Sequence, residues 1–253
     1  MDFRVAIATY KRPKGLGEKT LKTLSDNNID KDIIDIFVNN QEEYDIYRPL
    51  YPEYNMIIGE VGMRQIRQFI VNYYEEGTKV FFMDDDIISF KKKNDNKLDN
   101  VDNLRETIEN GFKLCEENKT CLFGIYPVDN AFFMKDNYTT HLQFCVGWTF
   151  GAIIDKEALS LDTRTIGNFE DYERTIKSFK KYGKVIRLNN ICAKTKYATA
   201  ESGGMNIGDR SIGMNADLEI LKELFPEYIY IKEKKSSLIG VNPQIRRNIK
   251  NIL

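Results

Sequence analysis

The run KVFFMDDDIISF, Lys79 to Phe90, ends an apolar, strand-like segment in three consecutive aspartates. Asp84, Asp85 and Asp86 repel one another, and each carboxylate is better solvated in water than beside a core. A chain that keeps them there needs either a solvated turn or a strongly positive group. Acidic turns rarely interrupt a run this apolar, so a cation together with phosphate is the reading adopted. Side chains alternate along an extended segment, so Asp84 and Asp86 are expected to converge while Asp85 faces elsewhere. Two carboxylates with no histidine nearby suit a hard, oxygen-seeking divalent cation, Mn²⁺ or Mg²⁺, completed by water and substrate phosphates.

The surrounding pattern gives these acids a scaffold. VAIAT (5–9), IIDIFVNN (33–40), YNMIIGE (54–60) and KVFFM (79–83) read as short strands. Amphipathic helices are expected over 18–26 and in MRQIRQFIVNYYEEG (63–77). Strands alternating with helices at this spacing indicate βαβ units and a parallel, doubly wound sheet. In such a sheet ligands bind beyond the carboxyl ends of the strands, where the aspartates fall. Further on, TCLFGIYPV and CVGWTFGAIID read as strands, and 170–182 as a helix closed by Gly183. KVIRLNNICAKT follows as a strand, and a last helix is expected over 215–224.

Composition removes several alternatives. Four cysteines without a CxxC pair and a single histidine, His141, disfavour a zinc site or a disulfide framework. No apolar run approaches the roughly 18–20 residues that cross a bilayer. MDFRVAIATY enters a strand pattern at once, with no signal-peptide features, so a cytoplasmic location is expected. The formal net charge is −1, yet Lys177–Arg187 and the last 22 residues are locally basic. Such patches are either solvated faces or surfaces for a polyanion.

ATYKRP at the first strand, then VGMRQIRQFI, FFMDDDI and a late NFEDYERT together resemble a GT-A-type glycosyltransferase. The resemblance covers roughly 5–196. It implies an α/β, GT-A-like (Rossmann-type) mostly parallel sheet flanked by helices, in a single domain over 1–230 with a basic C-terminal extension over 231–253. It implies too that the aspartates are a DxD motif, with Asp84 and Asp86 as metal ligands. Within that fold YKRP, the GM…IRQFI helix, EGTKVFFMDDDI and PEYI are most similar to the TET-associated branch, relatives of base J glucosyltransferase. That branch modifies hydroxymethylated pyrimidines in DNA.

The resemblance assigns roles residue by residue. Thr9, Tyr10 and Arg12 end the first strand, where the nucleotide lies; Tyr10 is suited to stacking on a base and Arg12 to a phosphate. Asn39 stands where relatives often carry an acid that reads uracil and ribose. Arg64 and Arg67, three apart on one helix face, are placed to meet the diphosphate, with Asp85 beside the donor. Asp171 is the expected base that takes the acceptor hydroxyl's proton, with Glu170 as fallback; Asn168 is the alternative N-cap of their helix. Trp148 is either a sugar platform or core. Lys194 and Lys196 are candidates to stabilise the leaving phosphate, and ESGGMNIGDR, with Gly203 and Gly204, is a candidate lid.

The expected activity is metal-dependent, inverting transfer of a hexose or pentose from a nucleotide sugar, UDP-linked. The expected acceptor is hydroxymethylcytosine or hydroxymethyluracil in DNA, as in bacteriophage hypermodification. No membrane and no obligate protein partner are implied. The same chemistry on a glycan, lipid carrier or protein is the second reading. A nucleotidyltransferase, for which KRPKGLGEK would be a faint glycine-rich loop, is the third.

Overall fold

A computed structural model describes residues 2–195, 210–234 and 239–246. The apolar, β-branched runs become strands as their composition demands: β1 (Arg4–Ala8), β2 (Ile34–Val38), β3 (Asn55–Ile58) and β4 (Lys79–Asp84). Between β1 and β2 the chain winds through α1 (Pro13–Leu16), a π-helical turn (Gly17–Leu21) and α2 (Lys22–Asp26). α3 (Gln41–Tyr47) follows β2, and α4 (Met63–Tyr73) joins β3 to β4. After the acidic turn come β5 (Ile87–Asn94), β6 (Lys97–Asn100), α5 (Leu104–Asn118), β7 (Leu122–Tyr126), β8 (Tyr138–Thr139) and β9 (Thr149–Ile153). α6 (Glu170–Tyr182), β10 (Ile186–Thr195), α7 (Arg210–Leu224), β11 (Ile229–Glu233) and β12 (Val241–Ile245) complete the order.

The main sheet runs β3-β2-β1-β4-β9-β7-β10-β5-β6, with β8 paired to β10. Its first four strands are parallel. β9 is then antiparallel to both β4 and β7, and β5 is antiparallel to β10, so the second half is mixed. Strand order reverses at β1, which has β2 on one side and β4 on the other. The Ala8↔Asp84 register therefore brings Thr9 and the aspartates to one crevice beyond the strand ends. This is the GT-A-like architecture expected.

Alternate residues of each strand feed opposite faces. Val5, Ile7, Ile36, Phe81 and Met83 join one buried cluster, while Ala6, Phe37, Val80 and Phe82 join the other. A third cluster, built on Phe169, Ile176, Leu218, Leu221, Phe225 and Ile229, packs α6 and α7 against the β11–β12 hairpin. The hairpin crosses the 230/231 position where the basic extension was expected to begin; Lys235, Arg247 and Lys250 lie outside the described residues. No helix among the described residues is long and apolar enough to cross a membrane.

The Lys177–Arg187 stretch is only partly an open basic face, with Lys180 and Lys184 exposed. Lys177 pairs with Glu173 at 2.8 Å, and Lys181 pairs with Asp155 at 2.8 Å and with Glu157. Arg187 is 9% exposed. Local acids and burial have used much of the charge that the sequence offered to a polyanion.

Candidate active site

The chain turns at Asp85 and Asp86, directly after β4. Strand alternation therefore does not govern the three carboxylates, contrary to the expectation from an extended exit. The turn is held from beneath by the π-helical segment: Thr20 Oγ1 donates to the Asp84 carbonyl (2.7 Å) and accepts from the Ile87 N–H (3.0 Å). Thr23 Oγ1 donates to the Ile87 carbonyl at 3.0 Å.

Each aspartate meets a different neighbourhood. Asp84 accepts from Arg67 Nη2 in a charge-assisted bond. Asp85 is buried and accepts from Thr9 Oγ1 (2.7 Å) and Arg12 Nη1 (3.0 Å). Asp86 lies 3.7 Å from the same Arg12 nitrogen. Thr9 and Arg12 thus fasten the turn to β1, and Tyr47, fully buried on α3, reinforces them. Its hydroxyl meets Thr9 Oγ1 at 3.0 Å and accepts from the Arg12 N–H at 2.7 Å. Sequence reasoning missed Tyr47 and Thr20, because a buried hydroxyl carries no motif of its own.

Burial raises the Asp84 carboxyl to about 6; Arg67 opposes this, while Asp86 and Asp85 add repulsion. Burial and then the Asp85 charge raise Asp86 as well. Their side chains keep 31% and 14% exposure, so both remain open to a ligand. An all-oxygen pair under mutual repulsion fits a hard dication, which would relieve both carboxylates. Among the described residues no three His, Cys, Asp or Glu groups converge on a metal position. Water and phosphate would therefore complete the shell of an ion held by Asp84 and Asp86.

A second acid group stands at the start of α6. Glu170 is 7% exposed and sits between two buried guanidiniums. Arg174 Nη1, one turn along the helix, donates to Glu170 Oε2, and Arg67 Nε lies 3.8 Å from Oε1. Asp84, Arg67, Glu170 and Arg174 form one alternating chain of charge, and Arg174 packs 3.6 Å over the Phe150 ring. Burial works against the Arg67 charge, but Asp84 and Glu170 outweigh it and raise its pKa. Arg67 still keeps Nε and Nη1 buried without a hydrogen-bond partner, as do Arg64 Nε and Trp148 Nε1. Such orphaned donors beside a crevice suit an anionic ligand.

Asp171, the next residue, is treated differently. Its carboxylate accepts from two peptide N–H groups, Gly147 (3.2 Å) and Tyr172 (3.0 Å). Burial foremost, then the Glu170 charge, push its pKa up to about 7, against Arg174 and those N–H donors. Gly147 is required by this approach: a Cβ there would stand 2.6 Å from Glu170 Oε1 and 3.3 Å from Asp171 Cβ. Asn168 is not the helix cap. Its backbone N–H and its side-chain amide both donate to buried Asp217 on α7, at 2.9 and 3.0 Å, and Phe169 holds the cap position. Asp217 also accepts from the Ile166 N–H (3.0 Å), which fixes the loop that delivers Glu170 and Asp171.

The remaining expected residues spread along the crevice and beyond. Tyr10 is half-buried with Lys11 Nζ 5.0 Å above its ring, and Asn39 is 7% exposed at the exit of β2. Arg64 lies in the first turn of α4, where Gly167 (φ +99°) comes so close that a Cβ would meet the Arg64 N at 2.7 Å. Trp148 is half-buried against the core and its carbonyl accepts from the Asp84 N–H at 2.8 Å. Lys194 is exposed on β10, in register with Ser89. Lys196, Gly203 and Gly204 lie outside the described residues.

Comparisons with known proteins bear on the fold. No family model matches the chain, and no curated protein matches it. Among solved structures, S. aureus TarS 1–349 superposes with a TM-score of 0.54 at 16% identity over 87% of this chain. The same TarS piece in complex with UDP gives 0.50 at 15% identity, also over 87% of this chain. A mycobacterial protein gives 0.50 at 10% identity, over 97% of this chain and 84% of its own. The chain spans 66% of TarS 1–349 and 40% of a longer TarS structure.

Proposed function

We propose that this chain is a metal-dependent glycosyltransferase that moves a sugar from a UDP-linked nucleotide sugar to a hydroxymethylated pyrimidine in DNA. The observation that carries the transfer reading is the contrast at α6: Asp171 has peptide donors and a raised pKa, one residue from a fully ion-paired Glu170. The likeness to a fold solved with UDP supports a nucleotide-sugar donor. The sequence likeness to the TET-associated branch supports the DNA acceptor, and with it a cytoplasmic location.

In this reading Asp171 takes the proton from the acceptor hydroxyl as its oxygen attacks the anomeric carbon. The bond from that carbon to the diphosphate oxygen breaks, UDP leaves with the electron pair, and the configuration inverts. A divalent cation held by Asp84 and Asp86 would supply charge neutralisation at the diphosphate. Arg67 adds positive charge beside them, and Glu170 keeps Arg67 and Arg174 in place. Arg12 and Thr9 fix the turn through Asp85, while Tyr10 and Asn39 lie along the nucleotide's side of the crevice.

The test incubates the protein with Mn²⁺, UDP-sugars and DNA carrying hydroxymethylcytosine or hydroxymethyluracil, and reads nucleosides by mass spectrometry. A hexose- or pentose-sized gain on one modified base is the expected result. UDP release without a DNA adduct would remove the DNA acceptor. Neither UDP release nor adduct would remove the transferase.

A further inference from the structure

The main sheet has two outer edges, and they are built differently. β6 reads KLDN, and charges such as Lys97 and Asp99 discourage a further strand. β3 reads NMII, with no charge and no proline, and among the described residues no strand pairs with its outer side. Shortness is the one guard it keeps. Exposed apolar side chains surround it: Leu50 before it, Ile58 within it, Val61 after it and Tyr73 on α4. Tyr73 stacks beside Phe69, with ring centroids 6.4 Å apart. Phe69 in turn lies so near Gly59 that a Cβ there would come within 3.3 Å of its ring.

The pairing with β2 decides which backbone groups point outward. The Gly59 N–H donates to the Val38 carbonyl at 2.7 Å, and parallel pairing engages alternate residues, so Asn55, Ile57 and Gly59 face β2. Met56 and Ile58 therefore turn both N–H and C=O away from the sheet. Arg48 Nη1 closes this row at its start by donating to the Tyr54 carbonyl at 2.9 Å.

We infer that β3 is a dimerisation edge, on which a second copy of this chain lays its own β3 antiparallel about a two-fold axis at Ile57. In that register Met56 and Ile58 of one copy exchange hydrogen bonds with Ile58 and Met56 of the other. Ile57 meets its counterpart on the face that Phe69 covers. Directly opposite residues share a face, so Glu60 of each copy comes beside Tyr54 of the other. There it meets Arg48 and Lys31, whose Nζ lies 5.5 Å from the Tyr54 ring centroid. Lys31 already holds Glu53 at 2.9 Å, so Arg48 supplies the unbalanced positive charge. A parallel pairing would instead set Glu60 against Glu60. The antiparallel one joins the two sheets into one, with the two crevices opening at opposite ends. This inference is independent of the transfer reading.

Sedimentation velocity of the full chain, over about a hundredfold range of concentration, tests it. The wild type is expected to shift from monomer to dimer. Ile58→Pro removes only an outward N–H, which an edge strand tolerates, so far-ultraviolet circular dichroism should be unchanged. It is expected to weaken association by about 30- to 100-fold, one hydrogen bond being lost from each copy. Glu60→Lys is expected to weaken it by about three- to tenfold, and the addition of Lys31→Glu to recover that loss. Asp99→Ala, on the charged edge, should leave association as it is. A chain that stays monomeric at every concentration, or a dimer that Ile58→Pro leaves intact, overturns the assignment. A charge swap that restores nothing overturns the antiparallel register.

Discussion

At the turn after β4, every carboxylate has a guanidinium within reach: Arg67 for Asp84, and Arg12 for Asp85 and Asp86. At the start of α6 the two acids divide the work. Glu170 takes both arginines, and Asp171 is left with peptide N–H groups. An ion-paired carboxylate is a poor proton acceptor, because its negative charge is already stabilised. A carboxylate crowded by another acid and hydrogen-bonded to peptide N–H groups rather than to a guanidinium exchanges its proton near neutral pH, as a general base requires. The difference between the regions is therefore a division between holding charge and moving a proton.

The sharpest way to break this comparison is at Asp171. Asp171→Asn is expected to lower the transfer rate by about 10²- to 10⁴-fold, the usual worth of a general base, while UDP binding by calorimetry is retained. In the wild type, transfer should rise as pH passes through about 7 and the base loses its proton. The stability sign is opposite. A carboxyl whose folded pKa is raised contributes stability at low pH that is lost as pH rises through about 7. Asp171→Asn should therefore be the more urea-resistant protein at pH 8, and a variant that unfolds earlier would contradict the account.

Glu170→Ala tests the opposite role. It leaves Arg67 and Arg174, 4% and 3% exposed, without their shared counter-charge, and is expected to cost about 3–5 kcal/mol in urea unfolding. Asp86→Ala should abolish the Mn²⁺-dependent part of UDP binding, as should chelation of the metal, with little loss of fold. Gly147→Ala pushes a methyl group between Glu170 and Asp171; about 1–3 kcal/mol of overpacking is expected, read as a lower melting temperature. At the far end of the scale, Lys22→Ala removes an exposed pair with Asp26 and should change stability by about 0.3–0.5 kcal/mol. A larger loss there would mean that exposure does not separate the two kinds of pair.

Local pattern made the first half of the chain legible. Short β-branched runs became β1 to β4, and the helix ending at Gly183 was bounded correctly, since Gly183 adopts φ +68° as a left-handed cap. α5 was overlooked although Asn103 caps it through the Glu106 N–H and Leu104, Ile108, Phe112 and Cys115 bury one face. α3 was overlooked because its seven residues, QEEYDIY, are too few to show a period. The antiparallel insertion of β9 between β4 and β7 depends on long-range pairing, which no short window records. At the site, residue identities were readable and partnerships were not. That Arg67 bridges Asp84 and Glu170, or that Asp217 displaces Asn168 from the cap, follows from contacts made across 17 to 103 positions.

One backbone contact links the acidic turn directly to the segment before β9. The Asp84 N–H donates to the Trp148 carbonyl, extending the β4–β9 ladder by one rung so that the acidic turn lies beside the segment carrying Gly147 and Trp148. That amide can exchange with deuterated solvent only when the two segments part. Its exchange lifetime is thus a built-in clock for fraying of the ladder end that carries the acidic turn, read at one position in the spectrum. A ligand that pins either segment should slow it, whichever side it enters from.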